Sequence, residues 1–135
     1  MSKSYRLPLI GVATLWVSLS VHPSIAEDPF SVAAQHYQSG QWQQAAAAFD
    51  RLARDSEQDS SIALRARLYA GESLIQLGQY AEAEQHYRFL LQHLDVRHQH
   101  SSARFAAQAQ FRLGEAAWLS GDTATAVRQL QGYVD

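Results

Sequence analysis

The sequence predicts an all-α fold, a row of about three helix-turn-helix hairpins. Three observations predict it. Of 135 residues, 22 are alanine and only three are proline, a balance that favours helix over strand. A glycine-centred pattern recurs three times, at Gly40, Gly78 and Gly121. Apolar residues after the first two of these glycines fall at helical spacing.

The repeated pattern is specific. After each glycine, matching residues stand at +2, +5, +9 and +12: Trp42, Ala45, Phe49 and Leu52, then Tyr80, Ala83, Tyr87 and Leu90, then Thr123, Ala126, Leu130 and Tyr133. Seven positions before each glycine stands another small residue, Ala33, Gly71 or Gly114. Each later glycine follows a helical run, where it ends a helix in the left-handed region without a Cβ penalty. The earlier small residue lies two turns back on that helix, and the alanine at +5 lies on the next one. Small side chains at both places let the two helices approach closely. The large residue at +9 fills the space beside that contact.

The first 26 residues form a separate unit. Lys3 and Arg6 precede an apolar stretch from Leu7 to Val21, which His22 and Pro23 break. Ser24-Ile25-Ala26 then places small residues where a leader is cleaved, so residues 1–26 are expected to be a secretory signal peptide. The competing reading is an uncleaved anchor. The stretch is shorter than the roughly 20 residues a spanning helix needs. Residues 27–135 then form the helical domain, with repeats near 27–60, 61–100 and 101–135, and the protein is expected in the periplasm or secreted.

Helices are expected near 29–39, 42–54, 61–77, 80–94, 102–120 and 122–134. Asp28-Pro29 reads as an N-cap followed by proline at the first helical position. Ser60 or Ser61 would cap the third helix, Ser101 or Ser102 the fifth, and Asp122 the last. Ala45, Ala48, Phe49 and Leu52 make one buried stripe, and Ala83, Tyr87, Leu90, Leu91 and Leu94 another.

These residues resemble the tetratricopeptide repeat family over nearly all of 28–135. The motif positions are Ala33, Gly40, Trp42, Ala45 and Phe49, then Gly71, Gly78, Tyr80, Ala83 and Tyr87, then Gly114, Gly121, Ala126 and Leu130. The chain departs from the family by lacking its proline after the second helix, by Thr123 in place of an aromatic, and by periods of 38 and 43 residues. The resemblance implies a right-handed superhelical solenoid. It also implies a concave groove lined by the first helix of each repeat. In that register the groove candidates are Phe30, Ala34 and Tyr37, then Arg65, Leu68, Glu72 and Gln76, then Gln108, Phe111, Arg112, Glu115 and Trp118. Their mixture of polar and aromatic side chains suits a peptide partner. The family subclass that clamps a C-terminal carboxylate is not matched, because Phe30 and Ala34 stand where its lysine and asparagine would be.

Other chemistry finds little support. There is no cysteine, which excludes disulfides, a thiol nucleophile and a thiolate metal site. Residues 27–135 carry nine basic and 13 acidic groups, which gives no basic face for nucleic acid. No phosphate loop, H-E-x-x-H or G-x-S-x-G occurs. His93, His98 and His100, with His86 one heptad earlier, have no spacing that fits a known metal site. No metal, cofactor or catalytic residue is therefore expected.

The reading is a non-catalytic interaction scaffold or adaptor of the bacterial cell envelope, binding a partner segment on the concave face. The alternative is a self-associating structural module. The last expected helix has no polar helix after it to cover its apolar face. The chain is accordingly expected to be part of a longer protein, or to meet a second subunit there. Two variants test the register. Ala83→Leu should wedge the second hairpin open at a cost of roughly 1–3 kcal/mol, and an unchanged melting temperature would sink the register. Arg112→Glu is expected to leave folding intact and weaken a groove ligand.

Overall fold

The computed structural model describes residues 26–58, 60–94 and 100–134, without the side chains of 100–102. The expected leader, apart from Ala26, lies outside the described residues. Six helices run in order: α1 Pro29–Gln38, α2 Trp42–Asp55, α3 Ser61–Gln76, α4 Tyr80–His93, α5 His100–Ser120 and α6 Thr123–Val134. No strand occurs among the described residues. Each helix packs on the next in sequence, and α1–α3 and α3–α5 contacts bring the first helices of the hairpins side by side.

The three hairpin turns are built alike. Gly40, Gly78 and Gly121 have φ of 69°, 73° and 88°. Each glycine N–H donates to the carbonyl three residues back, and the next N–H donates to the carbonyl five back, as in Gly40 to Tyr37 and Gln41 to His36. This pair of bonds satisfies the last carbonyls of the helix and reverses the chain.

The close approach expected within each hairpin is present. A Cβ on Gly71 would stand 2.7 Å from Tyr87 Cζ, and one on Gly114 would stand 2.8 Å from Leu130 Cδ2. Ala45, Ala83 and Ala126 are all buried.

Two apolar clusters follow. Phe49, Ala33, Ala45 and Ala53 pack with Ala66 and Ala70, while Phe30, Ala34, Tyr37 and Tyr69 close around them. The Phe49 and Tyr69 rings stack at 5.2 Å, and Phe30 and Tyr37 meet them edge-on. The second cluster joins Leu68, Ala83, Tyr87, Leu90 and Leu94 to Ala106, Ala109, Leu113 and Ala116. Helix α3 contributes to both and so carries the centre of the stack.

Capping follows the expectation in part. The Ser60 hydroxyl accepts from the Ala63 N–H, and Asp122 Oδ1 accepts from the Thr125 N–H. Hydrogen bonds from the Thr125 side chain and its N–H hold the Asp122 carboxyl below its ordinary range. Asp28 stands at the N-cap of α1 as expected, but its side chain bonds no backbone N–H. Its carboxylate accepts from the Ser31 hydroxyl at 3.3 Å instead of from the backbone, and Pro29 starts the helix. Helix α5 begins at His100, so Ser101 and Ser102 lie inside it and are not its cap.

Candidate functional site

The first helices of the three hairpins meet at a single carboxylate. Glu72, in the C-terminal half of α3, is 8% exposed. Its Oε2 accepts from the Tyr37 hydroxyl of α1 at 2.9 Å. Its Oε1 accepts from Gln108 Nε2 at 3.3 Å and from Arg112 Nε at 3.2 Å, both on α5. Arg112 Nη1 also donates to Glu115 Oε2 at 2.7 Å. The partners of Glu72 lie 35, 36 and 40 residues away, which is about one repeat. The repeat thus supplies the geometry: α1 adds Tyr37, α3 adds Glu72, and α5 adds Gln108, Arg112 and Glu115 to a line across the stack.

The electrostatics agree with this line. Burial, then the bond to Glu72, pushes the Tyr37 hydroxyl up to about 12. Burial opposes the Arg112 charge, but the hydrogen bond to Glu115 and the charge of Glu72 outweigh it and hold its pKa above the ordinary arginine value. Burial, followed by the charge of Glu72, also pushes the Tyr87 hydroxyl up.

Of the expected groove residues, Tyr37, Glu72, Gln108, Arg112 and Glu115 are brought together here. Gln76 and Arg65 are exposed on α3. The Arg65 guanidinium lies 4.5 Å over the Phe30 ring. Leu68 is not a groove residue: it is 2% exposed in the second cluster, because α5 packs on that side of α3. Phe30 and Ala34 pack against the first cluster rather than lining a groove. Phe111 and Trp118 are exposed, and the Phe111 ring faces Tyr133 of α6 at 5.6 Å. The expectation that Arg112→Glu leaves folding intact is overturned. Arg112 neutralises a buried carboxylate, and a third acid would stand beside Glu72 and Glu115.

The histidines are held separately. His93 Nδ1 lies 2.9 Å from the Phe89 carbonyl, and its ring stacks on Phe89. His86 Nε2 lies 3.8 Å from Asp50 Oδ1, and its Nδ1 is buried with no hydrogen-bond partner. The His98 position and the His100 side chain fall outside the described residues. Among those described, no group of three potential ligands could hold a metal ion. No described helix is long and apolar enough to cross a membrane.

Two features were not read from the sequence. Tyr69 links Phe30, Tyr37 and Phe49 into one aromatic group, and its place three residues before Glu72 could have shown it facing α1. A cleft of about 370 Å³ lies between α2 and α4, with Asp50 and Glu82 in its wall and Leu74 in its lining. Only packing reveals it.

The tetratricopeptide repeat family model matches residues 33–92, which run from the small residue of the first hairpin to near the end of α4. No curated protein and no solved structure matches the chain. The matched span holds most of the first two hairpins, turned by the same glycine geometry, and residues 33–92 are tetratricopeptide repeat in kind.

Proposed function

We propose that the protein is a non-catalytic adaptor of the bacterial cell envelope, exported behind a cleaved leader, that binds a segment of another protein on the face formed by α1, α3 and α5. Tetratricopeptide repeats generally mediate protein–protein interaction. The observation that carries the reading is the line Tyr37–Glu72–Gln108–Arg112–Glu115 across three helices. It fixes the spacing of those helices and leaves the Arg112 and Glu115 side chains about one third exposed, at 33% and 34%. Arg65 and Gln76 are exposed on α3, so both charge signs are offered along with amide groups. That set suits an uncharged or mixed polar segment better than a strongly acidic or basic one.

A photo-crosslinking amino acid at Gln76 tests this without disturbing the buried line. The same group at Gln44, exposed on α2, serves as the comparison. The expected result is an adduct with one other protein from Gln76 and none from Gln44, identified by mass spectrometry in exporting cells. Equal adducts from both positions, or adducts only with cytoplasmic proteins, would defeat the proposal.

A further inference from the structure

Among the described residues, α2 and α4 each pack on α3 and not on each other, so a gap runs between them. The cleft of about 370 Å³ lies in that gap. Ala46, Ala47 and Asp50 line it from α2, and Glu82 and His86 line it from α4. Leu74 of α3 and Leu77 at its end complete an apolar lining between the two acids.

The next gap, between α4 and α6, is built differently. Where α2 has Ala46, Ala47 and Asp50, α4 has Glu84, Gln85 and Arg88, 38 residues on. Where α3 is followed by Leu77, α5 ends in Ser120, 43 residues on. Glu84 accepts from the Ser120 hydroxyl at 3.1 Å and from Arg88 Nη2 at 3.0 Å. The polar groups of that gap therefore answer one another. Thr125 and Gln129 stand where Glu82 and His86 stand, so it carries no second acid.

In the first gap the two alanines leave space, and the polar groups lack such answers. Among the described residues, Glu82 has no ion-pair partner. Asp50 Oδ2 holds Arg54 at 2.6 Å, but Arg54 is 65% exposed, and a surface pair of this kind yields to a competitor at little cost. Asp50 Oδ1 lies 3.8 Å from His86 Nε2, too far for a hydrogen bond. The His86 side chain is only 12% exposed, and its Nδ1 is buried with no partner. With His86 neutral and its proton on Nδ1, an N–H donor seated between Oδ1 and Nε2 would bond to both.

We propose that this cleft binds a linear aliphatic diamine with both amines protonated. One ammonium donates to Asp50 Oδ1 and His86 Nε2, the other pairs with Glu82, and the methylenes lie on Leu74, Leu77 and the two alanines. Acids on both walls call for two positive charges, and the apolar lining between them calls for a hydrocarbon link. The charge of residues 27–135, nine basic groups against 13 acidic, also favours a cation. A metal ion does not fit, because no three described ligand groups come together. A lysine side chain brings one ammonium and leaves one acid unanswered. The proposal stands on the cleft alone and is independent of the groove.

The test titrates the isotope-labelled full chain with diaminobutane and follows amide chemical shifts. Salt at about 150 mM screens loose attraction of cations to exposed acids. Saturable shifts centred on Ala46, Ala47, Glu82 and His86 are expected. Glu82→Gln should weaken binding at least about threefold. Ala47→Gln, which supplies the side chain found at this position in the second gap, should do the same. Both positions are exposed, so folding should survive either change. Glu57→Gln, at an exposed acid in the loop after α2, should leave the affinity unchanged. Butylamine, with one ammonium, should bind at least about threefold more weakly than the diamine. Absence of saturable binding would overturn the proposal. Shifts spread over all the exposed acids, or an equal loss with Glu57→Gln, would do so too, since general charge attraction would then explain them. If butylamine or a lysine-containing peptide binds as tightly as the diamine, a single ammonium suffices, and the proposal fails.

Discussion

At the scale of single residues, one carboxylate and one imidazole carry consequences out of proportion to their size. Glu72 accepts from Tyr37, Gln108 and Arg112, so Glu72→Ala strips three helices of a shared acceptor. Bonds to a charged group contribute about 1.5–3 kcal/mol, and Arg112 keeps Glu115, so the expected loss is about 2 kcal/mol. For a domain of this size that lowers the melting temperature by about 10 °C. Glu72→Gln, which still accepts from Tyr37, should lose less. Equal melting of wild type and Glu72→Ala would show that the line is ornamental to folding. His86 acts through pH. Burial lowers its pKa, the Asp50 carboxylate opposes that, and Arg67 and Arg54 reinforce it. The unfolded chain binds a proton at His86 near pH 6.5, whereas the folded chain resists it. The contribution of neutral His86 is complete above that pH and is lost as the pH falls below it. Urea midpoints at about pH 7.5 and 5.5 should differ less in His86→Gln than in wild type. An identical difference in the two proteins would remove His86 as the cause.

At the scale of elements, the hairpin contact is decided by what a glycine leaves room for. Gly71→Ala would add a methyl 2.7 Å from Tyr87 Cζ, and Tyr87 is fully buried and cannot move aside. Alanine gains about 0.5–1 kcal/mol in helix preference, while overpacking costs about 1–3 kcal/mol, so a net loss is expected. Gly132→Ala makes the useful comparison. Its methyl would meet Gln110 Nε2, the far end of a long side chain that donates to the Gln129 carbonyl; a turn of that side chain relieves the contact for about one hydrogen bond, so the change should be near neutral. Chemical denaturation should show a loss for Gly71→Ala alone, and a shared gain would refute the close contact. This contact was legible in the sequence because it is local: a small residue, seven positions, a glycine, nine positions, a large residue. The helix bounds were legible for the same reason, falling within two residues of expectation at every described end. Leu68 and Phe30 were misplaced because register along one helix does not say which neighbour packs on which side. Glu72 was named as a groove residue, yet its role as a shared acceptor needed three helices in space. The Arg112→Glu expectation failed for that reason too.

At the scale of the whole molecule, the stack is a row in which each hairpin depends on its neighbours. Helix α3 has a packed cluster on each side, whereas α6 has Val127, Tyr133 and Val134 open to solvent. Local opening costs least where few apolar contacts are lost. Amide hydrogen exchange should therefore be slowest in α3 and at least about tenfold faster in α6. Uniform protection along the chain would mean that the stack opens only as a unit, and the row description would fail.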